Sequence, residues 1–127
     1  MANVINWFEI PVKNFDRACK FYEEVLDGTV QVMEMEMNGV IEKMGFLPGY
    51  NPQEGVGGAI VEGTGYEPAT TGSLVYLNGG NDLQSPLSRV ESAGGKVLLP
   101  KTGIGENGFV AQFTDTEGNR VAFHSMS

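Results

Sequence analysis

The chain has little of what most reactive sites are built from. Its 127 residues include one cysteine, Cys19, one histidine, His124, and one tryptophan, Trp7. A single cysteine excludes an internal disulfide and any cysteine-rich zinc site. Cys19 falls inside a predicted helix, where an inert, structural thiol is expected. No apolar run approaches the roughly 20 residues that carry a helix across a bilayer, so a soluble protein is expected. The opening MANVINWFEI lacks a basic segment followed by a long apolar one, which leaves no readable secretory signal and points to the cytoplasm. Basic residues are also scarce: eight stand against sixteen acidic ones, a net charge of −8. That balance repels phosphate backbones and anionic lipid, and argues against nucleic acid and membrane as partners. The acidic residues are scattered, as solubility alone requires.

Hydrophobic residues at 41% and charged ones at 19% fit a globular chain, and the length fits one domain with a sizeable core. Eighteen glycines divide it into short segments that alternate between period-2 and period-3.6 patterns, which predicts mixed α and β structure. Residues 5–12 read as a strand with Phe8, Ile10 and Val12 on one face and Trp7, Glu9 and Pro11 on the other. Asn14 can cap a helix whose stripe is Ala18, Phe21, Tyr22, Val25 and Leu26, with Asp16 in its first turn and Gly28 at its end. Strands at about 29–35, 40–47 and 55–62 follow, separated by an Asn38-Gly39 turn and a loop at 48–55.

Beyond a polar linker at about 64–71 the same order returns. Residues 73–77 read as a strand, and Asp82 or a neighbour caps a helix carrying Leu83, Leu87 and Val90 that stops at Gly94-Gly95. Strands at 96–99, 109–114 and 119–125 complete the pattern, the last two joined by a turn at 115–118. The chain is therefore expected to be α+β, a single domain of two βαβββ modules at about 1–63 and 72–127. Each helix covers one face of a small sheet, so the opposite face needs another cover, either the other module across a cleft or a second chain.

The repeated plan, the opening INWFEIPVKNFDRACKFYEEVL and the closing AGGKVLLPKTGIGENGFVAQFTDTEGNRVAFHS resemble the vicinal oxygen chelate superfamily. That superfamily includes glyoxalases, extradiol dioxygenases, bleomycin-binding resistance proteins and fosfomycin-modifying enzymes. The resemblance covers nearly the whole chain and implies curved mixed sheets around a cleft, the glyoxalase/bleomycin resistance fold. It also implies a homodimer, since small members commonly pair, and a divalent ion held by four His, Glu or similar side chains. Here the corresponding positions fall on Trp7, near Gly72 and on Ala122, which cannot bind a metal through their side chains. The fourth lies in 58–62, where Glu62 is the one candidate. No metal or other cofactor is accordingly expected.

Strand alternation then leaves Trp7, Glu9, Leu74, Tyr76, Val110, Gln112, Ala122 and His124 on the cleft face, joined by Gln31, Met33 and Met35 because Val30 and Val32 suit the helix side. This set is mainly apolar with a few hydrogen-bonding groups, the usual make-up of a small-molecule site. Trp7, Met33, Met35, Leu74, Tyr76, Gln112 and Ala122 are the expected ligand contacts; alternatively, these residues only fill the space between the sheets. Glu9 and His124 each lie two residues beyond a vacant family ligand position, and as a carboxylate–imidazole pair they would be candidates for acid/base catalysis. The alternatives are a structural carboxylate for Glu9 and a partly exposed, frayed end for His124. The leading expectation is a small-molecule binder. A glyoxalase-like lyase or isomerase, using Glu9 and His124 as acid and base or as metal ligands with Glu62, is the other. In the loop at 100–107, Lys101 is either a reach toward an anionic ligand or simply solvated. Gly103-Ile104-Gly105 is too short and wrongly placed for a dinucleotide fingerprint.

Overall fold

The computed structural model describes residues 4–49, 51 and 55–127. The chain divides into two compact units, Met1–Pro68 and Ala69–Ser127. Part of the loop expected at 48–55 lies outside the described residues.

In the first unit, β1 (Trp7–Pro11) leads into α1 (Phe15–Leu26), and β2 (Gln31–Met37), β3 (Val40–Phe46) and β4 (Gly57–Glu62) follow. The sheet order is β1-β4-β3-β2, with β1 and β4 parallel and the other pairs antiparallel. Helix α1 starts where expected: the Asn14 side chain accepts from the Arg17 amide at 3.0 Å, and a Glu62 oxygen accepts from the Phe15 amide at 3.0 Å. Two of the otherwise orphaned N–H groups of the first turn are thereby satisfied. Ala18, Phe21, Tyr22 and Val25 of the expected stripe are buried, Leu26 is half-buried, and Phe15 joins the buried face. Its C-terminus departs from expectation. Asp27, not Gly28, takes the left-handed conformation at φ 52°. Gly28 serves close approach instead, since a Cβ there would lie 2.6 Å from Pro48 Cβ. Asn38 and Gly39 both have positive φ, 53° and 80°, as a tight primed hairpin turn needs, and they set the β2–β3 register.

In the second unit, β5 (Val75–Asn78), α2 (Gln84–Leu87), β6 (Lys96–Gly103), β7 (Phe109–Thr114) and β8 (Arg120–Ser125) form a sheet of order β5-β8-β7-β6. The plan thus repeats that of the first unit, with β5 parallel to β8. Leu83, Leu87 and Val90 are buried as expected, but only four residues are α-helical and the chain then runs in turns to Gly94. Pro86 sits within this short helix, where its missing N–H is tolerated only in a first turn. Strand β6 is longer than expected and takes in the first half of the loop read at 100–107.

Candidate functional site

Each sheet has one face toward its helix and one open face, and cross-strand register assigns the side chains to them. In the first unit Trp7 pairs with Gly57, Glu9 with Ala59 and Pro11 with Val61. Phe46 pairs with Ala59, Met44 with Val61 and Met33, and Met35 with Glu42. Directly opposed residues share a face, so the open face carries Trp7, Glu9, Gln31, Met33, Met35, Glu42, Met44 and Phe46. Met44, Ala59 and Val61 form a buried floor against which Trp7, Met35, Phe46 and Tyr66 pack. The Trp7 and Phe46 rings meet edge to face, 5.9 Å between centroids at 71°.

Tyr66 comes from the segment expected to be a polar linker. A turn in which the Tyr66 amide donates to the Gly63 carbonyl, with Gly65 at φ 88°, folds the chain back after β4. The phenol then donates to Glu9 Oε1 at 2.9 Å, while Trp7 Nε1 donates to Glu9 Oε2 at 3.4 Å. The hydrogen bond to Glu9, partial burial, and the charges of Glu9 and Glu42 push the Tyr66 hydroxyl up to about 12. Glu9 is thus an exposed carboxylate held between two aromatic donors.

Glu62, considered as a metal ligand alongside Glu9 and His124, lies on the opposite face, toward α1. Its oxygen is engaged by the Phe15 amide, so it is a helix cap and does not share a face with Glu9. Val30 and Val32 also lie on the helix side, as expected. They line a groove of about 440 Å³ with Cys19 and Lys43. Burial and the nearby Glu23 and Asp16 raise the Cys19 thiol to about 11, in keeping with a structural role.

In the second unit Tyr76 pairs with Ala122, Asn78 with His124, and His124 with Val110. Tyr76, Asn78, Val110 and His124 line an open depression of about 1020 Å³ together with Leu77, Gly80, Asn81, Ile104, Asn107, Ser125, Met126 and Ser127. His124 Nε2 lies 2.7 Å from the Asn107 carbonyl. A carbonyl only accepts, so Nε2 carries a proton and donates it to Asn107. Gln112 shares the open face with Ala122, but neither lines the depression, and Ala122 is fully buried. Leu74 precedes β5 and is half-buried. Lys101 is turned to Asp82 at 2.7 Å and lies over the Phe109 ring at 4.6 Å, so it is already paired. That contact is the main reason the Asp82 carboxyl sits below its ordinary range.

The structure therefore brings Trp7, Glu9 and Met35 together in one unit, and Tyr76 and His124 in the other. Glu42, Met44, Phe46, Tyr66, Asn78 and Asn107 were not foreseen. Alternation continued across the Asn38-Gly39 turn pairs Met35 with Glu42 and Met33 with Met44, so part of this set was within reach. Tyr66 and Asn107 lie outside any period.

The two units repeat one contact: Ser125 Oγ accepts from the Leu83 amide at 3.0 Å, as Glu62 does from Phe15. Matching the units on it makes Ile60 equivalent to Phe123 and Ile10 to Leu77. Trp7 then corresponds to Leu74 rather than to Gly72, and Glu9 to Tyr76. His124 corresponds to Val61, one rung beyond Ala59, the partner of Glu9. Trp7, Leu74 and Ala122 provide no metal donor, and among the described residues no three His, Cys, Asp or Glu side chains converge. The residues present do not fit the divalent ion of the metal-dependent relatives.

Comparison with known proteins agrees with this geometry. A glyoxalase I mutant from Zea mays superposes with a TM-score of 0.68 at 19% identity, covering 94% of this chain and 46% of that one. The chain thus spans about half the length of the maize protein. The fosfomycin resistance protein FosX from Listeria monocytogenes gives 0.59 at 14% identity, over 100% of this chain and 94% of that one. The antibiotic binding protein TnmS3 from a Streptomyces species gives 0.62 at 18% identity, over 99% and 98%. A sequence comparison with curated proteins returns no match. The family profile described as Glyoxalase/Bleomycin resistance protein/Dioxygenase superfamily matches residues 4–123, nearly the whole chain, and the protein belongs to that superfamily.

Proposed function

We propose that the protein binds a small, partly apolar organic molecule on the open face of its first sheet, without the superfamily's divalent ion. One observation carries this reading. Trp7, Phe46, Tyr66, Met35 and Met44 gather on the sheet face that α1 does not cover, with the Glu9 carboxylate set between two aromatic donors. Rigid aromatic edges give contact area at low entropic cost, and methionines adapt to a ligand's shape. That TnmS3, an antibiotic binding protein, has a similar fold is consistent with this use of the architecture. In this reading the chain works as a homodimer in the cytoplasm, and light scattering on the purified protein tests the pairing.

Trp7 is the only tryptophan, so its emission reports on the face directly. Among aromatic compounds that raise the melting temperature, the expected result is saturable change of Trp7 emission, weakened at least tenfold in Phe46→Ala. Stabilising compounds that leave the emission untouched would place the site elsewhere. Micromolar divalent ions should not raise the melting temperature. A rise that disappears in Glu9→Ala would overturn the metal-free reading.

His124 favours a second reading, a lyase or isomerase. Its imidazole, held through Nε2 beside a large depression, is a group suited to acid/base chemistry. Turnover of a bound compound that stops in His124→Gln would establish it, and unaltered turnover in that variant would remove it.

A further inference from the structure

The open face of the first sheet has a charge pattern as well as an apolar one. Glu42 is only 7% exposed, and no described residue donates a hydrogen bond to its carboxylate. Its stem fills the space beside Gly63, where a Cβ would lie 2.8 Å from Glu42 Cγ. Among the described residues no side-chain oxygen or nitrogen is both sealed from solvent and unpaired, so the Glu42 carboxylate keeps an opening to the outside. Glu9 stands on the same face, and both carboxylates act on Tyr66.

Among the described residues of the first unit, no basic side chain answers them there. Of the four basic residues in the first unit, Arg17 and Lys20 belong to α1 and Lys43 lines the groove on the helix side. Lys13 lies beyond the end of β1, 3.9 Å from Glu67. The first unit holds eleven acidic residues against these four, a net of −7 out of −8 for the chain. A carboxylate that opens to the outside and has no donor or counter-charge from its own unit leaves its charge available to a cation. Aromatic rings around it add negative π-faces, which attract cations.

We infer that the ligand of this face is an organic cation, an amine or quaternary ammonium on an apolar or aromatic body, with Glu42 as its counter-charge. This rests on the small-molecule reading above and narrows its chemistry. The ammonium group replaces the missing donor at Glu42, and the apolar body lies against Trp7, Phe46 and Met44. The acidic surround raises the local concentration of such a ligand before it binds.

The test titrates Trp7 emission with three matched probes at neutral pH: phenylbutylamine, phenylbutanol and phenylbutyrate. The amine should bind at least tenfold more tightly than the alcohol, and the acid more weakly than either. Glu42→Gln, nearly isosteric, should bring the amine to within about twofold of the alcohol. Glu42→Asp, which retracts the charge, should lose part of the preference and serves if the glutamine variant does not fold. An amine no tighter than the alcohol in the unaltered protein, or a preference that survives Glu42→Gln, overturns the inference. In those cases saturable binding of the alcohol leaves the small-molecule reading standing. If none of the three probes alters Trp7 emission, both fail.

Discussion

Glu9 is fixed by two side chains at opposite ends of the first unit's sequence. The Tyr66 hydroxyl, pushed up to about 12, reports on that arrangement. Removing the charge in Glu9→Gln should bring one of the four tyrosines back toward the usual value near 10, seen as phenolate absorbance appearing earlier in an alkaline titration. The raised value also has a sign in stability. The contribution of the protonated hydroxyl is complete below about pH 10 and is lost as pH rises toward about 12, so Tyr66→Phe should flatten the fall in stability across that window. At Cys19, a thiol near 11 leaves on the order of one thiolate per thousand at pH 8. Alkylation of the native protein by iodoacetamide should run roughly a hundredfold slower than after unfolding. At this scale the sequence was partly legible. Period-2 alternation placed Trp7, Glu9 and Met35 on the open face because one helix covers the other. Tyr66 was not legible, since a turn places it and no periodic pattern records a turn's direction.

At the scale of elements, helix α1 shows both an expected and an unexpected cap. Asn14→Ala should cost about 1 kcal/mol in a denaturant titration. Asp27→Gly should stabilise by about 0.5 kcal/mol, because glycine takes the left-handed conformation without the Cβ penalty. The turn before β8 explains a signature that the sequence displayed without its reason. One oxygen of the buried Asp115 accepts from the Glu117 and Asn119 amides at 2.8 and 2.9 Å, and the other from Asn119 Nδ2 at 3.0 Å. Asn119 Oδ1 in turn accepts from the Ala69 amide at 3.1 Å, tying the turn to the start of the second unit. Asp115→Ala should therefore cost about 2–3 kcal/mol, more than an exposed turn aspartate would. The second helix was legible as a buried stripe but not as backbone. Leu83, Leu87 and Val90 are buried either way, and Pro86 limits the α-helical part to one turn.

For the whole molecule, the repeated βαβββ order was readable because it needs only the sequence of strand and helix periods, and the superfamily match covers the same extent. The chemistry was less readable because the resemblance implies metal-binding side chains at positions that fall here on Trp7 and Ala122. What stands there instead is an aromatic and methionine-rich face in a unit with almost all of the net negative charge. The most direct test of that face as the binding site is a methyl spectrum of methionine-labelled protein during titration with phenylbutylamine. Met35 and Met44 lie on the first sheet's open face, while Met126 borders the depression of the second unit. The account predicts saturable shifts at Met35 and Met44 with Met126 unmoved. Shifts at Met126 alone, or none at Met35 and Met44 at saturation, would contradict it.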